Sequence, residues 1–269
     1  MRVGFIGLGS QGAPMARRIV EGGYPTTLWA RRAASVEPFA DTAATVAATP
    51  AELAESSDLV CLCVVGDADV LEVADGVLSG LKPGGIIAVH ATVHPDTCRQ
   101  LAEKAAAQGV AVVDAPVSGG GPAAEEGKLL VMIGGDDETV EKVRPVFATY
   151  AAPIVHLGGV GAGQVTKLLN NLLFTANIAT AKTTLDLGAA LGVAPENLSE
   201  VITRGSANSF ALGSVARFGG SLDILKQVAA GLLHKDVNLI AGIAENAGAQ
   251  PGAVLDAADA ALRLMDNPR

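Results

Sequence analysis

Aromatic residues are scarce in this chain, making up 3% of its 269 residues, with one Trp and two Tyr. The stacking platforms that hold single-stranded nucleic acid are therefore scarce. Positive charge is also short. Nineteen Lys and Arg face 28 Asp and Glu, for a formal charge of −9 and a pI near 4.9. That balance argues against nucleic acid as a partner and requires any anionic substrate to be met by a few local cations. No apolar run reaches membrane-spanning length, because glycines, polar residues and charges interrupt each one, so no membrane partner is expected. Cysteines number three, Cys61, Cys63 and Cys98, and the four histidines are scattered without ligand spacing. Buried reduced thiols and no metal are the expectation. The apolar run after Arg2 enters a glycine loop and lacks a small-residue cleavage site. It reads as a first strand and not a signal peptide, and the expected location is cytoplasmic.

What is abundant is small and apolar. Hydrophobic residues reach 49%, mostly Ala, Val and Leu, enough for one large domain or two moderate ones. The run Val3-Gly4-Phe5-Ile6 leads directly into Gly7-Leu8-Gly9-Ser10-Gln11-Gly12. Strand, G-x-G-x-x-G, then helix is the order a dinucleotide site requires. The first Gly permits a tight turn, the second admits a pyrophosphate to the backbone, and the third lets the helix pack on the strand. The helix from Ala13 to about Val20 would aim unpaired N–H groups and a positive dipole end at the phosphates.

Strand and helix patterns then alternate. Strands are expected at Thr26–Ala30, Asp58–Val65, Ile86–Val89, Val110–Ala115, Leu129–Ile133 and Ile154–Leu157. Cys61 and Cys63 would share one face of the third of these, counting Val3–Ile6 first. Helices are expected at Pro50–Ser56, Ala68–Leu78 and Pro95–Gln108. Alternation of this kind implies a mostly parallel sheet covered by helices on both faces. After Gly158–Gly163 no further strand is expected. Gln164 to Leu191 reads as one helix of roughly 40 Å at 1.5 Å per residue, stopped by Gly192, with Val165, Leu169 and Leu172 directed toward the core. Shorter helices follow, started by Pro195 and Pro251. The fold class is α/β: an N-terminal Rossmann-like doubly wound sheet over 1–163, then a long interdomain helix and an all-α C-terminal domain over 164–269.

The second strand ends in Trp29-Ala30-Arg31-Arg32. A carboxylate at its end would bond the adenosine ribose hydroxyl, but Ala30 stands there and two guanidinium groups follow. Such forks suit a 2′-phosphate, so the expected cofactor is NADP ahead of NAD. Three further segments carry candidate chemistry. Ser118 with Gly119 and Gly120 can form a nest of N–H groups plus a hydroxyl for a carboxylate, or an ordinary turn. Lys167 and Asn171 lie four apart on the long helix and so share a face. An ammonium and a carboxamide on an otherwise apolar helix are costly to bury without purpose, although a surface Lys beside a structural Asn would look the same. Lys235-Asp236, near the start of a later helix, and Thr92, after the strand Ile86–Val89, complete the set.

In this order the motifs resemble those of the β-hydroxyacid dehydrogenase family, which includes 3-hydroxyisobutyrate dehydrogenases and several semialdehyde reductases. The resemblance runs from Val3 to about Leu264. Gly7–Ala16 resembles the family's cofactor motif, with Gln11 for its usual Met. Asp114-Ala115-Pro116-Val117-Ser118-Gly119-Gly120 resembles its substrate motif, and Gly161–Asn171 its catalytic motif. Lys235-Asp236 falls where the family carries the same pair, and Ala91-Thr92-Val93-His94-Pro95 is similar to a Ser-Thr-x-x-Pro segment. The resemblance implies Lys167 as general acid–base and Asn171 as its orienting partner. It implies Ser118, Gly119 and Gly120 as carboxylate holders, and Thr92 and Lys235 at the border of substrate and nicotinamide. Cofactor contacts are expected at Gly7 to Gly12, Arg31, Arg32, and the backbone of Val64 and Val65. Three departures touch the expected pocket: Ala91 for Ser, Ala123 for Gly, and Thr183 for a frequent Glu.

The implied reaction moves hydride between NADP(H) and a small β-hydroxy acid or semialdehyde, while neutral Lys167 takes the hydroxyl proton or its ammonium returns it. The remaining partner is a second copy of the chain, in a dimer or tetramer, because an apolar long helix seeks cover. Two alternatives stay in view, an imine reductase-like enzyme and a catalytically silent NADP-binding module.

Overall fold

The computed structural model describes residues 1–269, which form two compact units, Met1–Lys167 and Leu168–Arg269. In the first, β1 (Val3–Ile6), α1 (Gly12–Glu21), β2 (Thr26–Trp29), β3 (Thr45–Val46), α2 (Pro50–Glu55) and β4 (Leu59–Leu62) open the chain. There follow α3 (Asp67–Gly80), β5 (Ile86–Val89), α4 (Pro95–Ala106) and β6 (Ala111–Asp114). These strands make one six-stranded sheet in the order β3-β2-β1-β4-β5-β6, parallel throughout. The order reverses between β1 and β4, the switch point at which doubly wound sheets open a crevice for ligands.

Period-two burial explains why the strands read as unbroken apolar runs. Val3, Phe5, Leu28, Leu59, Cys61 and Val113 face one core layer with Met15, Ile19 and Phe147. Ile6, Val60, Leu62, Ile87, Val89 and Val112 face the other, with Leu53, Val77 and Leu101. Both faces are dry, so neither needs polar alternation.

The sequence reading of one continuous sheet is corrected beyond β6. The chain continues as β7 (Val117–Ser118), α5 (Gly120–Glu125), β8 (Leu129–Ile133), α6 (Asp137–Phe147) and β9 (Ala151–His156). Its strands form a separate sheet β7-β8-β9, antiparallel at the first pair and parallel at the second. Two residues, Ala115 and Pro116, separate β6 from β7, too few for the crossover a parallel addition demands. A single antiparallel bridge, Asp114 with Gly134, joins the two sheets. The strand expected to run to Val65 stops at Leu62, so Cys63 already lies in the following loop. Burial pushes the Cys63 thiol up to about 12 and raises that of Cys61 further, so both stay protonated.

The long helix α7 (Ala162–Ala190) spans 29 residues and passes from the first unit into the second. The second unit adds α8 (Pro195–Arg204), α9 (Phe210–Ala216), α10 (Asp223–Val228), α11 (Ala230–Asn246) and α12 (Ala253–Leu264). Its core gathers Leu168, Leu172, Ala176, Ala179 and Leu185 of α7 with Val237, Ile240 and Leu262. That stripe follows the 3.6-residue period, which leaves Leu169 off it. Leu169 and Leu173 are 50% and 54% exposed, which corrects the expectation that Leu169 points to the core. No helix is long and apolar enough to cross a membrane.

Candidate active site

The turn after β1 is built by two glycines that nothing else could replace. Gly7 holds φ at +100°, and a Cβ there would overlap the Cys63 carbonyl. A Cβ on Gly12 would overlap the Gly7 carbonyl, so α1 starts hard against the turn. Between them Gly9 faces open space, with nothing within 4 Å of an added Cβ. The closed glycines shape the loop and the open one leaves room for a pyrophosphate, which is the fit that a dinucleotide requires. Leu8 is buried beneath this loop, Ser10 is exposed, and Gln11 precedes α1 without capping it through its side chain.

The other loops at the carboxyl ends of the strands gather at this edge. Val64 and Val65 follow β4, the first half-buried and the second 69% exposed. Ser118 ends β7, and Gly119 and Gly120 follow with φ of +129° and +74°. A Cβ on the neighbouring Gly121 would fall 2.8 Å from the Ser10 carbonyl oxygen, so the Ser-Gly-Gly segment sits directly against the cofactor loop.

Thr92 is held from both sides. Gln164, fully buried at the start of α7, donates from Nε2 to the Ala91 carbonyl at 2.8 Å and accepts from the Val93 N–H at 3.1 Å. Asp67, the first residue of α3, accepts from the His94 N–H at 2.8 Å and the Thr97 hydroxyl at 2.6 Å. Backbone on both sides of Thr92 is thereby fixed to α7, and the residues just beyond it to α3.

Asp114 pins the helix that carries Lys167. Its two carboxylate oxygens accept from the N–H groups of Gly161 at 2.6 Å and Gln164 at 2.7 Å, satisfying orphan donors at the N-terminus of α7. Burial pushes its carboxyl up, against the pull of these two N–H groups. Lys167 sits one turn past Gln164 and is partly exposed. Asp114 and Gln164 are the functional residues that sequence reasoning named inside motifs without a role. The signal was present, since a buried acid at a strand end and a Gln at a helix start both need partners.

In the helical unit, Asn171 donates from Nδ2 to Asp236 Oδ2 at 2.6 Å and accepts from Asn170 Nδ2 at 3.0 Å. Lys235 Nζ lies 2.8 Å from the other Asp236 oxygen, which is almost fully buried. Two expected site residues, Asn171 and Lys235, are thus bracketed by one carboxylate that the sequence presented only as a neighbour. A cavity of 410 Å³ elsewhere in this unit is lined by Lys182, Lys226 and the Gly219–Asp223 turn. Both lysines are ion-paired, with Asp186 and Asp266, and no expected site residue borders it.

Of the three departures, Ala91 is buried, Ala123 half-buried and Thr183 exposed. Ala91 is 4% exposed and packs in the core. Ala123 lies against Gly119 within the α5 segment. The Thr183 hydroxyl donates to the Ala179 carbonyl of its own helix at 2.8 Å. No group of three His, Cys, Asp or Glu side chains is placed to hold a metal ion.

A doubly wound sheet, an open glycine loop at its switch point and a pinned helix bearing Lys167 define a nicotinamide-dependent oxidoreductase. Comparison with known proteins gives the family. Residues 2–159 match the model for the NAD binding domain of 6-phosphogluconate dehydrogenase. Residues 161–267 match that for the NAD-binding region of NADP-dependent 3-hydroxyisobutyrate dehydrogenase. The 2-(hydroxymethyl)glutarate dehydrogenase of Eubacterium barkeri is 32% identical over 274 residues, covering 100% of this chain and 89% of that protein. A solved structure of Mycobacterium tuberculosis 3-hydroxyisobutyrate dehydrogenase with L-serine superposes with a TM-score of 0.88 at 26% identity. The match spans 99% of this chain and 94% of that one. A structure of Psf3 in complex with NADP+ and 2-OPP superposes at 0.85 with 26% identity, over 98% and 93% of the two chains. The chain belongs to the β-hydroxyacid dehydrogenase family and is an oxidoreductase acting on CH–OH with a nicotinamide cofactor. A Streptomyces aurantiacus imine reductase, 18% identical with a TM-score of 0.71 over 98% and 99% of the chains, shares the fold alone.

Proposed function

We propose that this chain is a cytoplasmic, NADP-dependent dehydrogenase of a small β-hydroxy acid or reductase of the matching semialdehyde, with Lys167 as general acid–base. One observation carries the reading. Lys167 stands one turn beyond a helix start that Asp114 fixes to the end of β6, and the residue pinning that turn, Gln164, also fixes the Thr92 loop. An amine so placed can reach a ligand at the strand edge with little loss of freedom.

When bound, the nicotinamide supplies the two-electron exchange of hydride with the substrate carbon. The protein's own groups handle the proton and the carboxylate. In oxidation, neutral Lys167 takes the hydroxyl proton, and in reduction its ammonium gives that proton to the carbonyl oxygen. The Ser118 hydroxyl and the N–H groups of Gly119 and Gly120 hold the carboxylate. Thr92 and Lys235 border substrate and nicotinamide, and Asn171, steadied by Asp236, orients the substrate. The N–H groups of the Gly7–Gly12 loop and the backbone of Val64 and Val65 take the dinucleotide. Preference for NADP is supported by Ala30 in place of a carboxylate, by Arg31 and Arg32 after it, and by the NADP+ in one structural relative. Three unpaired cysteines suit a reducing compartment. Exposed Leu169, Leu173, Leu187 and Phe210 suit a second copy as cover for the helical unit.

The test is NADPH oxidation against a panel of semialdehydes, β-keto acids and cyclic imines, with wild type and Lys167→Ala. Turnover of the first two classes, lost by about a thousandfold in the variant while NADPH affinity stays within about twofold, is expected. Reduction of imines alone favours the related imine-reducing chemistry, and no turnover of any class makes the chain a binding module. A variant within severalfold of wild type removes Lys167 from the mechanism.

A further inference from the structure

Arg31 does not stand free at the end of β2. Its Nη2 is shared by two carboxylates of α3, Asp69 Oδ1 at 3.1 Å and Glu72 Oε2 at 3.0 Å. Asp69 and Glu72 are three residues apart on that helix and therefore face the same way. Arg32, next in the chain, is exposed and forms no ion pair. The four groups together carry no net charge, although the two arginines alone would make a strongly cationic corner.

We propose that Asp69 and Glu72 are specificity-determining residues that lower this chain's preference for NADP over NAD by competing with the 2′-phosphate for Arg31. The inference rests on the reading that the strand-end arginines meet that phosphate. A 2′-phosphate brings close to two negative charges. Beside two ionised carboxylates it meets repulsion as well as the attraction of Arg31, and it must draw Nη2 away from partners already at bonding distance. NADH brings a neutral hydroxyl to the same corner and is nearly indifferent to these charges. Both carboxylates act on one nitrogen, so they restrain Arg31 without presenting its full fork to a phosphate. Arg32 is left as the unopposed cation and carries most of the discrimination.

The experiment compares full-length wild type with Asp69→Asn, Glu72→Gln and the double variant, titrating NADPH and NADH by nucleotide fluorescence. All substitutions are at the surface, and Glu72 lies in mid-helix, so Glu72→Gln keeps the test valid if Asp69→Asn loosens the first turn of α3. The double variant is expected to bind NADPH about fivefold more tightly, with NADH within about twofold. The gain should shrink when salt is raised from about 0.05 M to about 0.5 M. Unchanged or weaker NADPH binding, or an equal shift for both nucleotides, overturns the proposal. Arg31→Ala and Arg32→Ala separate it from its premise. If either weakens NADPH selectively while the carboxylate variants change nothing, only the role of Asp69 and Glu72 falls. If both act equally on NADPH and NADH, the 2′-phosphate reading falls and takes this one with it.

Discussion

The two units place polar groups by different means. In Met1–Lys167 they are fixed by backbone: Asp114 holds two N–H groups of α7, Gln164 holds both sides of Thr92, and the glycine loop is shaped by carbonyls. In Leu168–Arg269 they are fixed by other side chains, with Asp236 gripping Asn171 and Lys235, while leucines of the same helix stay exposed. Backbone anchoring tolerates few substitutions because the donor or acceptor cannot itself be exchanged. Side-chain anchoring can be retuned one residue at a time.

The sharpest way to break this comparison is Asp114→Ala. Orphaning the buried N–H groups of Gly161 and Gln164 is expected to cost about 3 kcal/mol in urea unfolding, with a large loss of kcat. A loss below about 1 kcal/mol would mean the α7 start is held by something else.

A comparable effect follows from pH at His90, which is buried in the same unit. It donates from Nδ1 to the Ala115 carbonyl at 2.7 Å, and its Nε2 accepts from the Tyr150 hydroxyl at 3.2 Å. Burial pulls its pKa down from 6.5 to about 4. Above 6.5 neither folded nor unfolded chain protonates it. Between 6.5 and 4 the unfolded chain takes a proton that the folded chain refuses, so stability falls as pH falls. The total reaches about 3 kcal/mol below that window. Asp114, with its carboxyl pushed up, contributes a slope of opposite sign on the acid side. Subtracting the pH profile of His90→Phe from that of wild type isolates the histidine, and a difference that is flat from pH 7.5 to 4.5 would contradict the assignment.

Smaller effects are expected in the helical unit. Asp236→Asn keeps the shape but removes the charge that pairs with Lys235 and weakens the Asn171 bond. It should lower kcat about tenfold with stability changed by about 1 kcal/mol, read by steady-state kinetics beside thermal melts. An equal loss of stability to that of Asp114→Ala would erase the distinction between the units. The smallest change in fold stability is expected for Leu169→Asn with Leu173→Asn, within about 0.5 kcal/mol, because both side chains are already half exposed. Sedimentation should nevertheless show a smaller species if these leucines cover a second copy.

The same contrast explains how much was legible in the amino-acid order. Four strands of the six-stranded sheet, β1, β2, β5 and β6, were readable to within a residue or two, because double-sided burial writes itself as apolar runs; β4 was read three residues too long, and the two-residue, exposed edge strand β3 was not expected. The Val117–Ser118 strand was hidden in a glycine-rich motif too short to show period two. Helix α6 was passed over, although Asp136 caps it through the Thr139 N–H at 2.9 Å and Val140, Val143 and Phe147 keep helical spacing. Pro145 inside its last turn obscured that pattern. At the site, the named residues came from motif spacing, but the groups that hold them did not. Asp67 lies 27 residues from His94, Asp114 lies 50 from Gln164, and Asp69 lies 38 from Arg31. Pairings across such separations follow from topology and leave no local trace.

The turn around Thr92 is moored through main-chain groups of its neighbours, the Ala91 carbonyl and the Val93 and His94 N–H groups, so its course is written by two distant side chains, Gln164 and Asp67. A loop tethered in this way keeps its path only while both of those distant residues stay in place, which makes its local geometry hostage to two remote positions.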